Sequence, residues 1–337
     1  MRAVILEGPG EARVASVAEP RPDAGKLLLK VRMVGLCGSD LNSFRGKNPM
    51  VTFPRILGHE VAATVIEGSR TNPALAAGVD VTMSPYSSCG KCASCLRDRS
   101  HACQFNATLG VQRDGALTEY IAMPEEKLYP ANLTIQQLCL VEPLTVGAHA
   151  VARGRVSAQD TVAVFGCGGV GLGAIAASHF MAARTIAIDV DETKLSIARK
   201  AGADLAIDTR SGSLHEELSA VTAGRGPDVI IEAIGLPQTF RAAVEEVAFT
   251  GRVVYIGYAK ELVAYETRLF VQKELDILGS RNATPEDFHQ VIRMLEADLF
   301  PVRDAVSVIA PMEECPRLLS AWSDSPASYS KIMVSMD

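Results

Sequence analysis

Four cysteines fall within fifteen residues, Cys89, Cys92, Cys95 and Cys103, in the pattern C-x2-C-x2-C-x7-C. Four thiolates supplied by one loop suit a closed tetrahedral Zn²⁺ that leaves no position for a substrate. An iron–sulfur cluster is the competing reading of such a loop, and four free thiols the plain one; a structural zinc agrees best with the rest of the chain. A second set is dispersed: Cys37 in Gly35-Leu36-Cys37-Gly38-Ser39-Asp40, His59 and Glu60 in Gly58-His59-Glu60, and Glu142 in Val141-Glu142-Pro143. Read singly, Cys37 is a small buried hydrophobe, His59 a satisfied turn residue, and the two glutamates solvated charges. Only their combination points to a site.

A third constellation is a glycine turn. An apolar run at 161–165 leads into Gly166-Cys167-Gly168-Gly169-Val170-Gly171 and then an Ala-rich stretch with helical character. In the G-x-G-x-x-G spacing the first glycine allows the turn, the second lets backbone approach a pyrophosphate, and the third lets helix and strand pack closely. Backbone N–H groups at the helix start then face the phosphate charge. Eighteen residues past Gly171, a second strand ends at Asp189, where a carboxylate can accept the ribose hydroxyls of NAD. A 2′-phosphate would meet Asp189 and Asp191 as like charges, with no Arg immediately after the strand to receive it. The bland alternative is a glycine turn in an ordinary α/β protein.

These residues need elements to hold them. A chain of 337 residues exceeds one ordinary core, so two lobes are expected. The first 150 residues carry short β-type runs broken by Gly and Pro, at 3–6, 26–34, 60–67, 80–84 and 117–124, which predicts a small, mainly antiparallel domain. From about Arg155 strands alternate with helical segments, at 161–166, 185–189, 204–207, 228–233, 252–256 and 275–278, predicting a doubly wound parallel sheet of six strands. A helix from near Pro285 and short apolar runs at 306–309 and 332–335 suggest that the C-terminus rejoins the first lobe. The expected division is 1–150, 151–282 and 283–337, with the active site in the cleft between lobes.

Composition narrows the function classes. The chain is 48% hydrophobic, and its 33 basic and 39 acidic residues leave a net charge of −6, without a Lys/Arg cluster interleaved with aromatics; nucleic acid is not an expected partner. The nearly uncharged run at 161–183 approaches bilayer length, but its five glycines argue for a turn, and no membrane association is expected. The N-terminus reads as a strand rather than a signal peptide. Cysteines at metal-ligand spacing fit a reducing cytoplasm better than disulfides.

In order along the chain, Gly35-x-Cys37-Gly38-Ser39-Asp40, Pro54-Arg55-x-Leu57-Gly58-His59-Glu60, the four-cysteine loop, Val141-Glu142-Pro143-Leu144, the glycine turn, and Lys273-Glu274-Leu275 leading to Gly279-Ser280-Arg281 resemble the zinc-containing medium-chain dehydrogenase family. Within it, the sorbitol and threonine dehydrogenase branch is most similar, especially bacterial polyol and sugar-acid dehydrogenases of the L-galactonate or L-idonate type. The resemblance covers the whole chain. It implies a GroES-like, mainly-β catalytic domain joined to a Rossmann domain with a six-stranded sheet, two Zn²⁺ per chain, and NAD. It further implies a catalytic zinc held by Cys37, His59 and either Glu142 or Glu60, the glutamates exchanging during turnover; such a set leaves an open position for an alcohol oxygen. Gly166, Gly168, Gly169, Val170, Gly171 and Asp189 would bind the coenzyme.

Ser39 is placed to take the hydroxyl proton, its plain alternative being a turn hydrogen bond. The family often has His three residues later, where this chain has Asn42, so the relay ends in water. Ala63 and the shifted Gly78-Val79-Asp80-Val81 depart from the family in backbone packing. Arg281 resembles a family position whose guanidinium binds a substrate hydroxyl or carboxylate in a fork, or else is a surface arginine. Cys139, Cys167 and Cys315 have no assigned chemistry, although Cys167 should pack near the coenzyme. The expected activity is NAD-linked oxidation of a secondary alcohol on a polyol or sugar acid. The alternatives are a relative acting on less polar alcohols or aldehydes, a zinc-free quinone-reductase relative, and a non-catalytic NAD-binding regulator. Self-association as a tetramer or dimer is expected, with an edge supplied by the strand at 252–256 followed by 262–264.

Overall fold

A computed structural model describes residues 1–336. The chain divides into two compact units, Met1–Glu142 with the chain from Val302 onward, and Pro143–Pro301. In chain order the strands of the first stretch are β1 (Arg2–Gly8), β2 (Glu11–Ser16), β3 (Lys26–Leu36), β4 (Arg55–Ile56), β5 (Glu60–Val65), β6 (Asp80–Met83), β7 (Tyr120–Pro124) and β8 (Leu128–Pro130). Those of the second unit are β9 (Thr161–Phe165), β10 (Arg184–Asp189), β11 (Leu205–Asp208), β12 (Val229–Glu232), β13 (Arg252–Tyr255) and β14 (Asp276–Gly279). The C-terminal part of the first unit adds β15 (Val308–Pro311) and β16 (Ile332–Ser335).

β3 is the spine of the first unit. Leu27, Leu29 and Val31 are buried at every second position, the period-2 pattern of a strand with one covered face. It pairs antiparallel with β5, β7 and β16, and the sheet runs β15-β16-β3-β5-β6-β8. A smaller sheet, β2-β1-β4, shares the same core through Val4 and Leu6. β2 was not expected from the sequence: Glu-Ala-Arg-Val-Ala-Ser has Val14 as its one large apolar residue, and its pairing with β1 follows a tight return at Gly10, which has φ of +79°. The core gathers Leu29, Leu36, Leu57, Val61, Leu117 and Trp322.

In the second unit the six expected strands are present in the order β11-β10-β9-β12-β13-β14, all parallel. This is the doubly wound arrangement, with the crossover reversal beside β9. The central strands are apolar throughout, as in Val162 to Phe165 and Val229 to Ile231, because helices cover both faces of a parallel sheet. The uncharged run that approached bilayer length folds as β9, the glycine turn and the helix Gly169–Phe180; no helix among the described residues is long and apolar enough to cross a membrane. One expectation fails. β13 is internal, paired on both sides by β12 and β14, and 262–264 is not a strand; the open edge on that side is β14. The sequence pattern of β13 reads the same at an edge or inside, since register partners are set by the order in which the strands stack.

Candidate active site and metal centres

Cys37 immediately follows β3 and precedes the short helix Gly38–Phe44. Its backbone N–H donates to Asp40 Oδ2 at 2.8 Å, which fixes the thiol's departure from the sheet. His59 follows Gly58, whose φ of +95° and crowded surroundings favour a residue without Cβ, since a Cβ there would lie 2.7 Å from Val34 Cγ1. Glu60 opens β5 opposite Gly35 of β3. A Cβ on Gly35 would come within 2.1 Å of Glu60 Oε2, so the missing side chain on one strand makes room for the carboxylate on the next. The candidate ligand atoms of Cys37, His59 and Glu60 all lie within 4.8 Å of one another.

Two partners of this cluster escaped the sequence reading. Lys331, just ahead of β16, donates from Nζ to both Glu60 oxygens at 2.7 Å and to the Leu36 carbonyl at 3.3 Å, and the pair is buried. Burial opposes its charge, but Glu60 outweighs burial and raises the ammonium pKa. Tyr86, between β6 and the cysteine loop, donates its hydroxyl to Glu142 Oε1. Glu142 is itself buried, in the helix Ile135–Arg153, and burial pushes its carboxyl up to about 7 against the pull of His59. It does not join Cys37, His59 and Glu60 within the same mutual distance.

The donor set fits a divalent cation. His59 Nδ1 is buried without a hydrogen-bond partner, and Asp40 Oδ1 stands 3.9 Å from it, beyond a hydrogen bond. Burial opposes protonation of His59, yet Asp40, Cys37 and Glu142 outweigh it and hold the imidazole well above its ordinary pKa. A buried imidazole drawn toward positive charge by thiol and carboxylates is in an environment that a cation satisfies, with release of the protons those ligands carry.

The four-cysteine loop fits a metal on different grounds. Cys92 Sγ lies 3.5 Å from Cys95 Sγ and 3.8 Å from Cys103 Sγ. A tetrahedral ion with Zn–S bonds of about 2.3 Å separates its sulfurs by roughly 3.8 Å, so this spacing suits a single ion. Backbone N–H groups of Cys89, Cys92 and Phe105 point at sulfur, as thiolates require. The Ser94 hydroxyl and backbone N–H groups bring Cys92 down to about 5, while burial and the neighbouring Cys92 and Cys103 push Cys95 up to about 11. All eight cysteines are free of disulfides.

In the second unit the glycine turn joins β9 to the helix Gly169–Phe180. Gly166 has φ of +95°, and a Cβ on Gly171 would sit 1.8 Å from the Gly166 carbonyl oxygen, so both glycines are required for the turn to close. A Cβ on Gly168 would meet nothing within 4 Å, which leaves that backbone open to approach, as a phosphate cradle needs. Gly169 and Val170 begin the helix. Asp189, at the end of β10, accepts backbone N–H groups from Cys167 and Val190, each at 2.7 Å, and Asp191 at 3.2 Å. About four acceptor positions are available on a carboxylate, so one remains for a ribose hydroxyl. Cys167 is buried with its thiol toward the Ile188 carbonyl. Arg281 is exposed beyond β14, and Ser39 Oγ is buried without a partner.

A doubly wound unit with a dinucleotide-type turn, together with a β-rich unit carrying a four-thiol loop and a Cys–His–Glu cluster, defines a metal-dependent dehydrogenase. Residues 23–133 match the alcohol dehydrogenase GroES-like domain and residues 169–297 the zinc-binding dehydrogenase family. The chain is 33% identical over 335 residues to an uncharacterised zinc-type alcohol dehydrogenase-like protein of Haemophilus influenzae, covering 98% of both chains. It is 30% identical over 297 residues to L-galactonate-5-dehydrogenase of Escherichia coli K12, covering 88% of this chain and 87% of the relative. The NADH complex of the RspB alcohol dehydrogenase from E. coli CFT073 superposes with a TM-score of 0.91 at 26% identity, covering 100% and 99% of the two chains. The chain belongs to the zinc-type alcohol dehydrogenase family. It is an enzyme, with zinc and a nicotinamide dinucleotide as cofactors.

Proposed function

We propose that the protein oxidises a secondary alcohol on a polyol or sugar acid to the ketone, with NAD⁺ accepting the hydride. The observation that carries this reading is the convergence of Cys37, His59 and Glu60 within 4.8 Å, next to a second buried carboxylate, Glu142. Cys37, His59 and Glu60 or Glu142 would hold the catalytic zinc; Cys89, Cys92, Cys95 and Cys103 the structural one. When bound, the catalytic ion supplies Lewis acidity that makes a substrate hydroxyl easier to deprotonate. Ser39, with a buried and unpartnered hydroxyl, takes that proton and passes it to water, Asn42 being unable to titrate in this range. The carbinol C–H electron pair leaves as hydride to the nicotinamide, giving ketone, NADH and one released proton.

Gly166, Gly168, Gly169, Val170 and Gly171 cradle the pyrophosphate, and Asp189 receives the ribose and disfavours a 2′-phosphate. Arg281 supplies a forked donor for a substrate hydroxyl or carboxylate. The polar character of the substrate is supported by the L-galactonate-5-dehydrogenase relative. We further propose a homo-oligomer, tetramer or dimer, using β14, where Ile277 and the nearby Val271 are exposed, and a reducing cytoplasmic setting for the eight free thiols. Metal content per chain, followed by NAD⁺ reduction across polyols and aldonic acids, tests the reading. Two zincs with turnover on that panel are expected. One zinc without turnover favours a non-catalytic NAD-binding regulator, and turnover confined to simple apolar alcohols displaces the polyol assignment.

A further inference from the structure

Tyr86 is a buried polar group beside the Cys37 cluster to which the proposed chemistry gives no part. The residue is 6% exposed, and its hydroxyl donates to Glu142 Oε1. A buried phenol needs an acceptor and a buried carboxylate needs donors, so each fixes the other. The two carboxylates near the cluster are held differently. Glu60 has both oxygens on the Lys331 ammonium at 2.7 Å and stands within the set formed with Cys37 and His59. Glu142 is held by a neutral phenol and stands outside that set. Tyr86 reaches it from the segment between β6 and the four-cysteine loop, a path independent of the elements that carry Cys37, His59 and Glu60.

We propose that Tyr86 is a positioning residue that keeps Glu142 out of the Cys37–His59–Glu60 set, so that one metal position stays open for a substrate oxygen. The inference rests on reading that set as a zinc site. Without the hydroxyl, Glu142 keeps its burial but loses the phenol donor on Oε1, and that oxygen turns to the cation.

Tyr86→Phe preserves the ring and removes only the donor. Cobalt-substituted and zinc-loaded proteins are compared for visible absorption and for the rate of metal loss to a chelator, with the four-cysteine site as an internal reference. In Tyr86→Phe, metal loss from the dispersed site should slow on the order of tenfold, the scale of one hydrogen bond to a charged group. The cobalt spectrum should shift as an added oxygen ligand enters, and kcat should fall by a similar factor. Glu142→Gln in the Tyr86→Phe background should restore the faster release. An unchanged spectrum and release rate, a faster release, or slow release that persists in the double variant overturns the proposal. If the wild-type protein binds metal only at the cysteine loop, the zinc-site reading fails instead, and the two failures are told apart.

Discussion

The two metal-binding candidates of the first unit are assembled in opposite ways. Cys89, Cys92, Cys95 and Cys103 come from one loop, with sulfur-to-sulfur distances of 3.5 and 3.8 Å set by local turns and backbone N–H donors. Cys37, His59 and Glu60 come from the ends of β3 and β5, and their geometry depends on sheet register, on Gly35 and on Lys331 from the far end of the chain. A site built locally should matter chiefly to the folding of its own loop. A site built from a sheet can fail chemically while the sheet survives.

The largest effect that sharpens this contrast is on turnover. His59→Ala should lower kcat about 10³-fold or more, the scale of losing metal-assisted polarisation, while the denaturation midpoint changes little. A variant that unfolds instead would make the dispersed site structural. Cys95→Ala should do the reverse, lowering stability by about 3–4 kcal/mol and removing one zinc by elemental analysis. The fraction that remains folded should keep its kcat; loss of kcat without loss of stability would erase the distinction.

Lys331→Met leaves Glu60 buried without its cation, a change that costs about 3 kcal/mol or more. Because zinc can take over that charge, the loss should be larger in metal-stripped than in metal-loaded protein when thermal unfolding is compared. Equal losses would mean that Glu60 does not face the metal. Gly35→Ala should shift Glu60 and cost about 1–3 kcal/mol, with weaker metal retention at this site alone.

The smallest effect belongs to neither site. The Arg210 side chain and backbone N–H hold Asp208 down at about 2. A depressed carboxyl contributes stability above its unfolded value near 4 and loses it as pH falls toward 2. Arg210→Ala should therefore flatten stability against pH slightly between about 4 and 2, a small change because the arginine is exposed and solvent screens the pair. A steep acid response at this position would mean that exposed pairs in this protein rival its buried ones.

The same contrast explains what could be read in advance. The cysteine loop and the glycine turn announce themselves because their ligands are spaced by local turns, and the six parallel strands because each is an apolar run of strand length. Lys331 and Tyr86 give no such signal. They meet Glu60 and Glu142 across 271 and 56 residues, and a lone lysine before a strand or a lone tyrosine before a loop has no period to betray it. Asp40 closes the Gly35–Asp40 motif, but its carboxylate serves the backbone of Cys37 and Gly58, a function invisible until the loop is folded. β13 lies inside the sheet rather than at its edge because stacking order, unlike strand identity, is a long-range property.

Asp189 shows how a single carboxylate can bind two traits together. Three of its acceptor positions serve the backbone N–H groups of Cys167, Val190 and Asp191, so replacing it to admit a phosphorylated coenzyme would also remove the tie between the glycine turn and the end of β10. A lineage or an engineer changing coenzyme here would have to rebuild that tie in the same step. On the ribose-binding role proposed for Asp189, coenzyme preference is tied to the architecture of the turn and is hard to change by one substitution.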